Sequence, residues 1–450
     1  MLYQSTRGQS AGLTFTEAFA TGLAPDGGLY VPETFPDVGP LLAGWQDKSY
    51  PELAHGFLSL FDTVHTSAEL RQLVDLSYAD FDAPLRTLRD GLHVLELFHG
   101  PTLAFKDFGL QLLGNLFEDQ IRRSGTPINV LGATSGDTGA AAISGLANKQ
   151  GVNVFILYPD GRISELQERQ MTCTGADNIY PIPIQGSFDD AQRIIKEIFG
   201  DLDFKAKHGL SAINSINLAR ILAQSIYYVS AWLQLPEADR NHPKGPEFIV
   251  PTGNFGNVLA GWLTSKMGLP IPSFQIATNQ NDIMHRLFTT GDYSPGSVDP
   301  SLAPSMDIQV ASNFERYLFY LRDRDGAAVA AAMDQLKVKG SLSIEDFDPD
   351  TFTATRSNDA DIREAIRLCH EQFDYVIDPH TACGFKQIDP DRPSVVLSTA
   401  HPAKFPETIT DSIGIESKHP TLEALRPKTP LTYPTEPTVE AIRALVEKHS

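Results

Sequence analysis

The sequence has little cysteine and few basic side chains relative to acidic ones. Its 450 residues include three cysteines, and 36 Lys+Arg against 56 Asp+Glu give a formal net charge of −20 at pH 7. The scattered cysteines have neither the paired spacing of a zinc site nor the density of a disulfide framework, so we expect no metal and a reduced, cytoplasmic compartment. The acidic balance argues against nucleic-acid or anionic-membrane partners.

Long apolar runs and two catalytic motifs are also missing. Nowhere do about 18 apolar residues follow one another, and the N-terminus lacks the apolar core of a signal peptide. We therefore expect the protein to be neither secreted nor membrane-spanning. The sequence contains no His-Glu-x-x-His and no Gly-x-Gly-x-x-Gly, which argues against a zinc protease and a dinucleotide-binding enzyme.

The length allows two or three packing units, since single hydrophobic cores stop growing near about 250 to 300 residues. Residues 1–90 carry dense turn signals and are predicted to form a small N-terminal domain. From residue 92 onward, strand-like runs alternate with helical spacing, which predicts βαβ units and an α/β fold with mostly parallel sheets. The region 290–350 is less regular and is interpreted as an insertion or lobe extension.

Apolar periodicity places the individual elements. Strands are predicted at 92–98, 127–131, 152–158, 178–184, 247–251, 273–277, 375–377 and 394–399. Helices are predicted at 139–149, 164–172, 187–199, 218–235, 258–267, 282–288, 361–372 and 438–448.

Lys106 lies in an otherwise apolar stretch between the strand predicted at 92–98 and a run with helical apolar spacing at 110–117. Strand-to-helix crossings are where α/β folds bind ligands. Phe105 and Phe108 would desolvate the ammonium, which favours the neutral amine and suits Schiff-base chemistry with an aldehyde cofactor. The alternative is a lysine that simply extends from its helix to solvent.

A glycine-containing turn follows the predicted strand at 247–251 and opens a helix. Its residues are Gly253, Asn254, Phe255, Gly256 and Asn257. Backbone N–H groups at such a turn, together with the helix N-terminus, can bind a phosphate without any lysine. A plain tight turn is the alternative.

A second turn, at residues 132–139, is rich in hydroxyls and glycine but lacks the Gly-Lys-Ser/Thr ending of a P-loop. Hydroxyls and exposed N–H groups there suit a small carboxylate. Ser135, Asp137 or Thr138 could instead cap the following helix.

Other stretches offer anion donors or strand-end hydroxyls. Arg162 with Ser164, and Asn214 with Arg220, could each hold a second anion, although each pair lies where a helix cap is also expected. A hydroxyl follows the last predicted strand, and hydroxyls at strand ends face the ligand crevice of such sheets. His380 and His401 belong to no triad or metal spacing and are interpreted as structural.

Taken in this order, the segments resemble the threonine synthase family, within the tryptophan-synthase-β-like, fold type II group of pyridoxal-phosphate enzymes. The resemblance runs nearly end to end. Residues 3–8 and 22–29 resemble the family's N-terminal domain, 99–109 its cofactor-lysine segment, 133–139 its substrate loop, 253–257 its phosphate loop and 399–404 the segment facing the cofactor's ring nitrogen.

The resemblance implies two α/β lobes that flank a cofactor crevice. The catalytic unit would span 91–450, with a small lobe at about 100–185 and a large lobe at about 186–450. Lys106 would bind pyridoxal 5′-phosphate as a Schiff base and shuttle protons at the substrate's α and β carbons. Thr399 would face the pyridine nitrogen, and Asp137 stands where many relatives outside threonine synthase have an asparagine near the ring oxygen. Asn257 replaces the aspartate of many threonine synthases, a change that a backbone-driven phosphate site should tolerate.

The implied reaction is that of a lyase, which converts O-phosphohomoserine and water into threonine and phosphate. The residues implied to bind the substrate carboxylate are Thr134, Ser135 and Thr138, and those for its phosphate are Arg162, Ser164, Asn214 and Arg220. We expect a monomer or small homo-oligomer acting on a small molecule. The rival interpretations are a dehydratase of the same group and a silent homologue that binds the cofactor as a sensor.

Overall fold

The computed structural model describes residues 1–134, 136–213 and 215–450, with the side chains of all of these except Phe188 and Asp189. The strands are β1 (Tyr3–Ser5), β2 (Tyr30–Pro32), β3 (Leu85–Arg89), β4 (Leu92–Glu96), β5 (Ile128–Ala133), β6 (Val152–Pro159), β7 (Ile179–Ile184), β8 (Leu210–Ala212), β9 (Glu247–Pro251), β10 (Ser273–Thr278), β11 (Asp292–Tyr293), β12 (Leu342–Ser343), β13 (Phe352–Arg356) and β14 (Ser394–Ser398). The helices are α1 (Phe15–Thr21), α2 (Leu42–Trp45), α3 (Tyr50–Leu58), α4 (Ser67–Tyr78), α5 (Lys106–Ser124), α6 (Asp137–Leu146), α7 (Glu165–Thr172), α8 (Phe188–Gly200), α9 (Leu202–Lys207), α10 (Leu218–Gln234), α11 (Glu237–Arg240), α12 (Gly256–Lys266), α13 (Ile283–Thr290), α14 (Phe314–Leu321), α15 (Gly326–Lys339), α16 (Asp359–Phe373), α17 (Pro379–Cys383), α18 (Pro406–Ile413), α19 (Pro420–Glu423) and α20 (Val439–His449). Short 3₁₀ turns lie at Gly39–Leu41, Pro304–Met306 and Pro402–Lys404.

Two main sheets organise these elements. The larger has the strand order β13-β10-β9-β14-β4-β3, and all its pairs are parallel except β3 with β4. The smaller has the order β7-β6-β5-β8 and is parallel throughout. Parallel neighbours require crossover connections, which helices provide. The predicted α/β class with mostly parallel sheets is confirmed.

The central strands are buried on both faces, which explains their continuous apolar runs. β9 and β14 are buried at every position. α10, which corresponds to the helix predicted at 218–235, is buried along nearly its whole length. Most other predicted strands and helices lie within a few residues of their expected positions.

The N-terminal elements pack against α5, which carries Lys106, and against α10, which carries Arg220. α3 and α4 contact α5, and the Tyr78 hydroxyl donates to the Phe108 carbonyl at 2.8 Å. The expected division into domains stays a prediction, and one strand of the smaller sheet, β8, lies beyond the limit near residue 185 expected for the small lobe.

Two expectations about local structure are wrong. Residues 375–377 form no strand, because Asp374 ends α16 in a left-handed conformation (φ 48°) and the buried Tyr375 and Ile377 then pack beside α16 instead of pairing with a sheet. The region 290–350 is more regular than expected. Asp325 caps a long helix, α15, that contains the alanine-rich tract at 327–332. α14 precedes α15.

Within the described ranges, no helix has the length and apolar character needed to cross a membrane.

Candidate active site

Three neighbouring strands of the larger sheet deliver their following segments to one place. β9, β14 and β4 are adjacent and parallel, so their carboxyl ends share one edge of the sheet. The turn at 253–257 follows β9, residues 399–404 follow β14, and residues 97–105, here called the strap, connect β4 to Lys106. The carboxyl edge of such sheets is where ligands bind.

Lys106 is the first residue of α5, and its side chain is only 10% exposed. Its Nζ donates to Ser305 Oγ at 3.2 Å and lies 3.6 Å from Asp137 Oδ2. Burial lowers the pKa of Lys106 to about 8; Asp137 opposes this shift, while Lys404 and Arg220 add to it. The neutral amine is therefore far more populated at neutral pH than for an exposed lysine.

The predicted desolvation of Lys106 is confirmed, but Phe105 and Phe108 do not both flank its ammonium as predicted. Phe105 lies beside the ammonium, with Nζ 5.7 Å from its ring centre. The Phe108 ring instead packs in the core, with centroids 5.2 Å from Tyr50 and 5.0 Å from Phe81.

Asp137 is the first residue of α6 and is buried opposite Lys106. Its carboxylate accepts hydrogen bonds from Gln167 Nε2 at 3.1 Å and Ser305 Oγ at 3.1 Å, and lies 2.9 Å from Lys404 Nζ. Burial alone would raise the pKa of Asp137, but the charges of Lys404 and Lys106 outweigh it and hold the pKa well below its usual range. Asp137 therefore stays ionised.

Lys404 is a member of the site that the sequence did not identify. It is 1% exposed, and its Nζ also donates to the Thr102 carbonyl on the strap at 2.8 Å. Thr102 also donates to the Asp107 carboxylate, from its backbone N–H at 2.9 Å and from its hydroxyl at 2.6 Å. Lys404 thus joins the β14 segment to the strap and to Asp137. The only signal in the sequence was its position just after the last strand.

Ser305 is the second such member, and it carries no sequence signal because it lies in the region expected to be irregular. Its backbone N–H donates to His380 Nε2 at 3.1 Å. His380 must therefore be protonated on Nδ1, which lies 2.9 Å from Asp378 Oδ1. His380 orients Ser305 and does not reach the Lys106 amine itself, in agreement with its predicted structural role.

The turn at 253–257 has the shape of an anion site. Phe255 adopts a left-handed conformation (φ 63°) with its side chain buried, and α12 starts at Gly256. A Cβ at Gly253 would lie 3.1 Å from the Ser305 carbonyl oxygen, and one at Gly256 would lie 3.1 Å from Asn313 Nδ2. The glycines thus permit close approach. Among the described residues, none accepts a hydrogen bond from the N–H groups of Gly253, Asn254, Gly256 and Asn257.

Asn257 adds a side-chain donor to this turn. Its Oδ1 accepts from the Tyr227 hydroxyl at 2.6 Å and the Tyr228 hydroxyl at 3.0 Å. Its Nδ2 is buried and has no partner among the described residues. A buried donor without an acceptor is costly, which indicates that a ligand acceptor belongs there.

Arg220, the third residue of α10, is 3% exposed, and its Nε and Nη1 have no partner in the described part of the chain. Burial lowers the pKa of Arg220 to about 10. An unpaired buried cation is strongly unfavourable, so this position fits an anion. Gly109, one turn after Lys106, allows the approach: a Cβ there would lie 3.1 Å from Arg220 Cβ.

Thr399 follows β14 of the larger sheet, and the turn before α6 follows β5 of the smaller sheet. The Thr399 carbonyl accepts from Phe105 N–H on the strap at 2.9 Å. Thr138 is partly buried at the second position of α6. The Thr134 hydroxyl is engaged within its own turn, because it accepts from the N–H groups of Gly136 at 3.0 Å and Gly139 at 2.8 Å.

The structure does not bring every predicted residue into this cluster. Arg162 is exposed, and its charge acts on Asp190. Ser164 caps α7 by accepting from Gln167 N–H at 3.2 Å, so the capping alternative describes it. Ser135 and Asn214 lie outside the described residues.

The donor set indicates the kind of ligand. Lys106 and Lys404 both lie beside the Asp137 carboxylate, and the charge of Arg220 acts on Lys106. N–H donors without a partner among the described residues lie at the turn after β9. No group of three or more His, Cys, Asp or Glu side chains in the described ranges could hold a metal ion. A lysine with a lowered pKa next to phosphate donors fits a phosphorylated aldehyde cofactor, and the additional cation fits an anionic substrate.

Comparisons with known proteins agree with this geometry. Family models described as threonine synthase N terminus, pyridoxal-phosphate dependent enzyme, and threonine synthase C-terminal match residues 2–78, 83–400 and 380–446. The chain is 43% identical to a threonine synthase from Schizosaccharomyces pombe, over 93% of this chain and 90% of that protein, and 45% identical to one from Pseudomonas aeruginosa, over 91% and 90%. Its fold matches the crystal structure of pyridoxal-phosphate-bound threonine synthase from Brucella melitensis with a TM-score of 0.94 and 40% identity, over 100% of this chain and 99% of that one.

Proposed function

Because the chain belongs to the threonine synthase family, we propose that the cluster around Lys106 is the active site of the reaction that this family catalyses. The enzyme uses pyridoxal 5′-phosphate to convert O-phosphohomoserine and water into L-threonine and phosphate. The observation that carries the assignment is the buried Lys106 amine, whose pKa is lowered to about 8 beside the ionised Asp137.

We assign the cofactor to the edge formed by β9, β14 and β4. When bound, it supplies an electron sink for the negative charge that develops at substrate carbons. Lys106 would hold the aldehyde carbon of the cofactor, and its free amine would move protons at the substrate's α and β carbons. Thr399 would offer a neutral hydroxyl to the pyridine nitrogen, and Asp137 would face the ring oxygen.

The cofactor phosphate is assigned to the turn at 253–257, with Gly253, Asn254, Phe255, Gly256 and Asn257. Support comes from four backbone N–H groups and the Asn257 Nδ2, none of which has an acceptor among the residues that the structure describes. The α12 N-terminus adds a favourable partial charge. Tyr227 and Tyr228 hold the Asn257 amide so that its nitrogen stays available.

For the substrate phosphate, Arg220 is the best-supported residue, because its buried Nε and Nη1 have no partner among the described residues. Asn214 precedes it in the same segment and remains proposed. Arg162 and Ser164 have no such support, since one is exposed and the other caps a helix. For the substrate carboxylate we propose Ser135 and Thr138, while Thr134 shapes the turn that presents them.

We also infer a cytoplasmic monomer or small homo-oligomer with no nucleic-acid partner. The three cysteines are free and buried, which fits a reducing compartment. The net charge of −20 disfavours binding to polyanions.

The assignment is tested by assaying the purified protein with phosphohomoserine, and Lys106→Ala beside it. We expect equimolar threonine and phosphate from the wild type and none from the variant. Borohydride reduction of the holoenzyme should leave the cofactor on the peptide containing Lys106. Lys149→Ala is the matched control, because Lys149 pairs with Glu118 away from the site. Trapping on Lys404 would contradict the assignment, and 2-oxobutanoate with ammonia from threonine would indicate a dehydratase.

A further inference from the structure

Asn313 and Arg316, at the start of α14, contact the turn assigned to the cofactor phosphate and the stretch that leads to Arg220, which is assigned to the substrate phosphate. One is the turn at 253–257, which follows β9. The other is the stretch 215–217, which leads into α10 and Arg220. α14 itself lies in the region that the sequence suggested was an irregular insertion, so neither residue was a candidate.

Asn313 reaches both segments with one side chain. Its Nδ2 donates to the Ser215 carbonyl at 3.0 Å and to the Asn254 carbonyl at 3.3 Å. Its backbone N–H also donates to the Asn254 carbonyl, at 3.2 Å. The same Nδ2 is the atom that a Cβ at Gly256 would approach to 3.1 Å.

Arg316 completes the connection from within the core. Its side chain is fully buried, and it donates to Asn313 Oδ1 at 2.5 Å, to the Ile216 carbonyl at 2.6 Å and to the Tyr30 carbonyl of β2 at 2.9 Å. All three acceptors are uncharged. A buried cation is costly, so an arginine used only to bind carbonyls indicates a requirement for its rigid fork of donors.

We propose that Asn313 and Arg316 act as positioning residues that set the separation of the cofactor-phosphate turn and the substrate-phosphate arginine. We name the pair the bracket. The proposal rests on the assignment of these two anion sites above. Neither residue is proposed to touch a ligand.

The physical reason lies in the peptide planes. Each carbonyl that the bracket holds belongs to a rigid peptide unit, so fixing its direction also fixes the N–H of that unit and the adjoining backbone. The bracket holds Asn254 in the turn, and Ser215 and Ile216 just before Asn217, which caps α10 by accepting from Ala219 N–H at 3.0 Å. Two anion sites that serve one reacting pair must keep their spacing, since displacements near 1 Å can cost about 100-fold in rate.

The neighbouring residue has a different role and supplies a control. Glu315 accepts from the Thr6 hydroxyl at 2.7 Å and pairs with Arg7 at 2.9 Å, which ties the N-terminal arm to α14. Loss of this tie loosens the arm without removing any bond to the turn or to 215–217. It therefore separates general anchoring of α14 from positioning of the anion sites.

The decisive variant is Asn313→Asp. It keeps the size of the side chain and an oxygen acceptor for Arg316, so folding is retained, but it replaces the shared donor by an oxygen that faces two carbonyls. Arg316→Lys is the second variant, since an ammonium lacks the fork geometry. Glu315→Gln is the matched control on the same helix. Thermal unfolding is recorded for all three.

The readouts distinguish phosphate positioning from general damage. Apoenzyme affinities are measured for pyridoxal 5′-phosphate and for pyridoxal, which lacks the phosphate, together with inhibition by inorganic phosphate and the KM for phosphohomoserine. For Asn313→Asp we expect about a tenfold or greater loss for the phosphorylated cofactor, the substrate and phosphate, the effect of about one lost hydrogen bond per site. Affinity for pyridoxal should change less than about threefold. Arg316→Lys should act in the same direction, and Glu315→Gln should not.

Equal losses for pyridoxal and its phosphate, or no loss for either, would overturn the bracket. A phosphate-selective loss in Glu315→Gln would also overturn it, because α14 anchoring alone would then suffice. These results are distinct from failure of the proposed function, which would appear as a wild-type protein that forms no threonine.

Discussion

Replacement of Asp137 by asparagine should make the Lys106 amine titrate at lower pH while weakening the fold. Asp137 lies 3.6 Å from Lys106 Nζ and 2.9 Å from Lys404 Nζ. Its charge opposes the effect of burial on Lys106, so its removal must lower the pKa of Lys106 further. The substitution keeps the side-chain shape, removes the charge and replaces one acceptor oxygen by an NH₂ donor.

The size of the effect follows from the distances. At 3.6 Å, with an effective dielectric constant of about 20, a pair of unit charges contributes about 4 to 5 kcal/mol. As an upper limit, the ratio of amine to ammonium at Lys106 rises by about three orders of magnitude. Lys404 meanwhile becomes a buried cation without its carboxylate, which costs about 3 to 5 kcal/mol in free energy of unfolding.

The assay follows Lys106 itself in the apoenzyme. Reductive methylation at a series of pH values on both sides of about 8, read by peptide mass spectrometry, gives the pH midpoint for this one amine. Denaturant unfolding gives the stability. Asp119→Asn is the matched control, because it makes the same change at the other end of α5, where the carboxylate pairs with Arg123.

The reasoning is refuted if the midpoint of Lys106 stays in place or moves to higher pH in Asp137→Asn. The double variant Asp137→Asn, Lys404→Met supplies a further check. It removes both partners of the buried pair, so it should recover much of the lost stability. If the single and double variants are equally unstable, the loss does not arise from an unpaired Lys404.

Two further predictions concern the strap and the N-terminal elements. Gly100→Ala would place a Cβ 2.5 Å from Asp107 Oδ2, so we expect the free energy of unfolding to fall by about 1 to 3 kcal/mol in denaturant titrations. Gly44→Ala, whose Cβ would have nothing within 4 Å, should be neutral. Equal effects of the two substitutions would contradict the clash. Burial lowers the pKa of His65, but the hydrogen bonds and charges of Asp62 and Asp119 together outweigh it, and the net pKa is raised. The stabilisation by His65 is therefore full below the pKa of the unfolded state, near 6.5, and disappears as pH rises through the higher pKa of the folded state. In urea titrations, the stability difference between wild type and His65→Gln should therefore shrink with rising pH.

Local patterns were sufficient for those parts of the site that sit on regular elements. The apolar strand and the helix that flank Lys106, both visible within about 20 residues of sequence, made it a candidate, and the family resemblance supplied its role. The turn at 253–257 was identified in the same way. Its glycines, however, serve close approach to Ser305 and Asn313, and the left-handed residue is Phe255.

Local sequence patterns led to wrong predictions in short or irregular segments. Residues 375–377 have strand-like composition but no neighbouring strand, and three apolar residues cannot distinguish pairing from packing. Arg162 has the chemistry of an anion ligand, yet it is exposed near Asp190. Arg220 has the same chemistry and is buried, and its Nε and Nη1 have no partner in the described part of the chain. Only the packing around each guanidinium separates the two.

The sequence by itself determined the α/β class, the position of the candidate lysine and the order of the segments at the strand ends, because periodicity and turn residues act over short distances along the chain. The tertiary structure decided which charges surround that lysine. Ser305 and Lys404 reach Lys106 and Asp137 across more than 160 residues of sequence. Ionisation depends on which groups come within a few ångströms in a dry interior, and no local pattern encodes that.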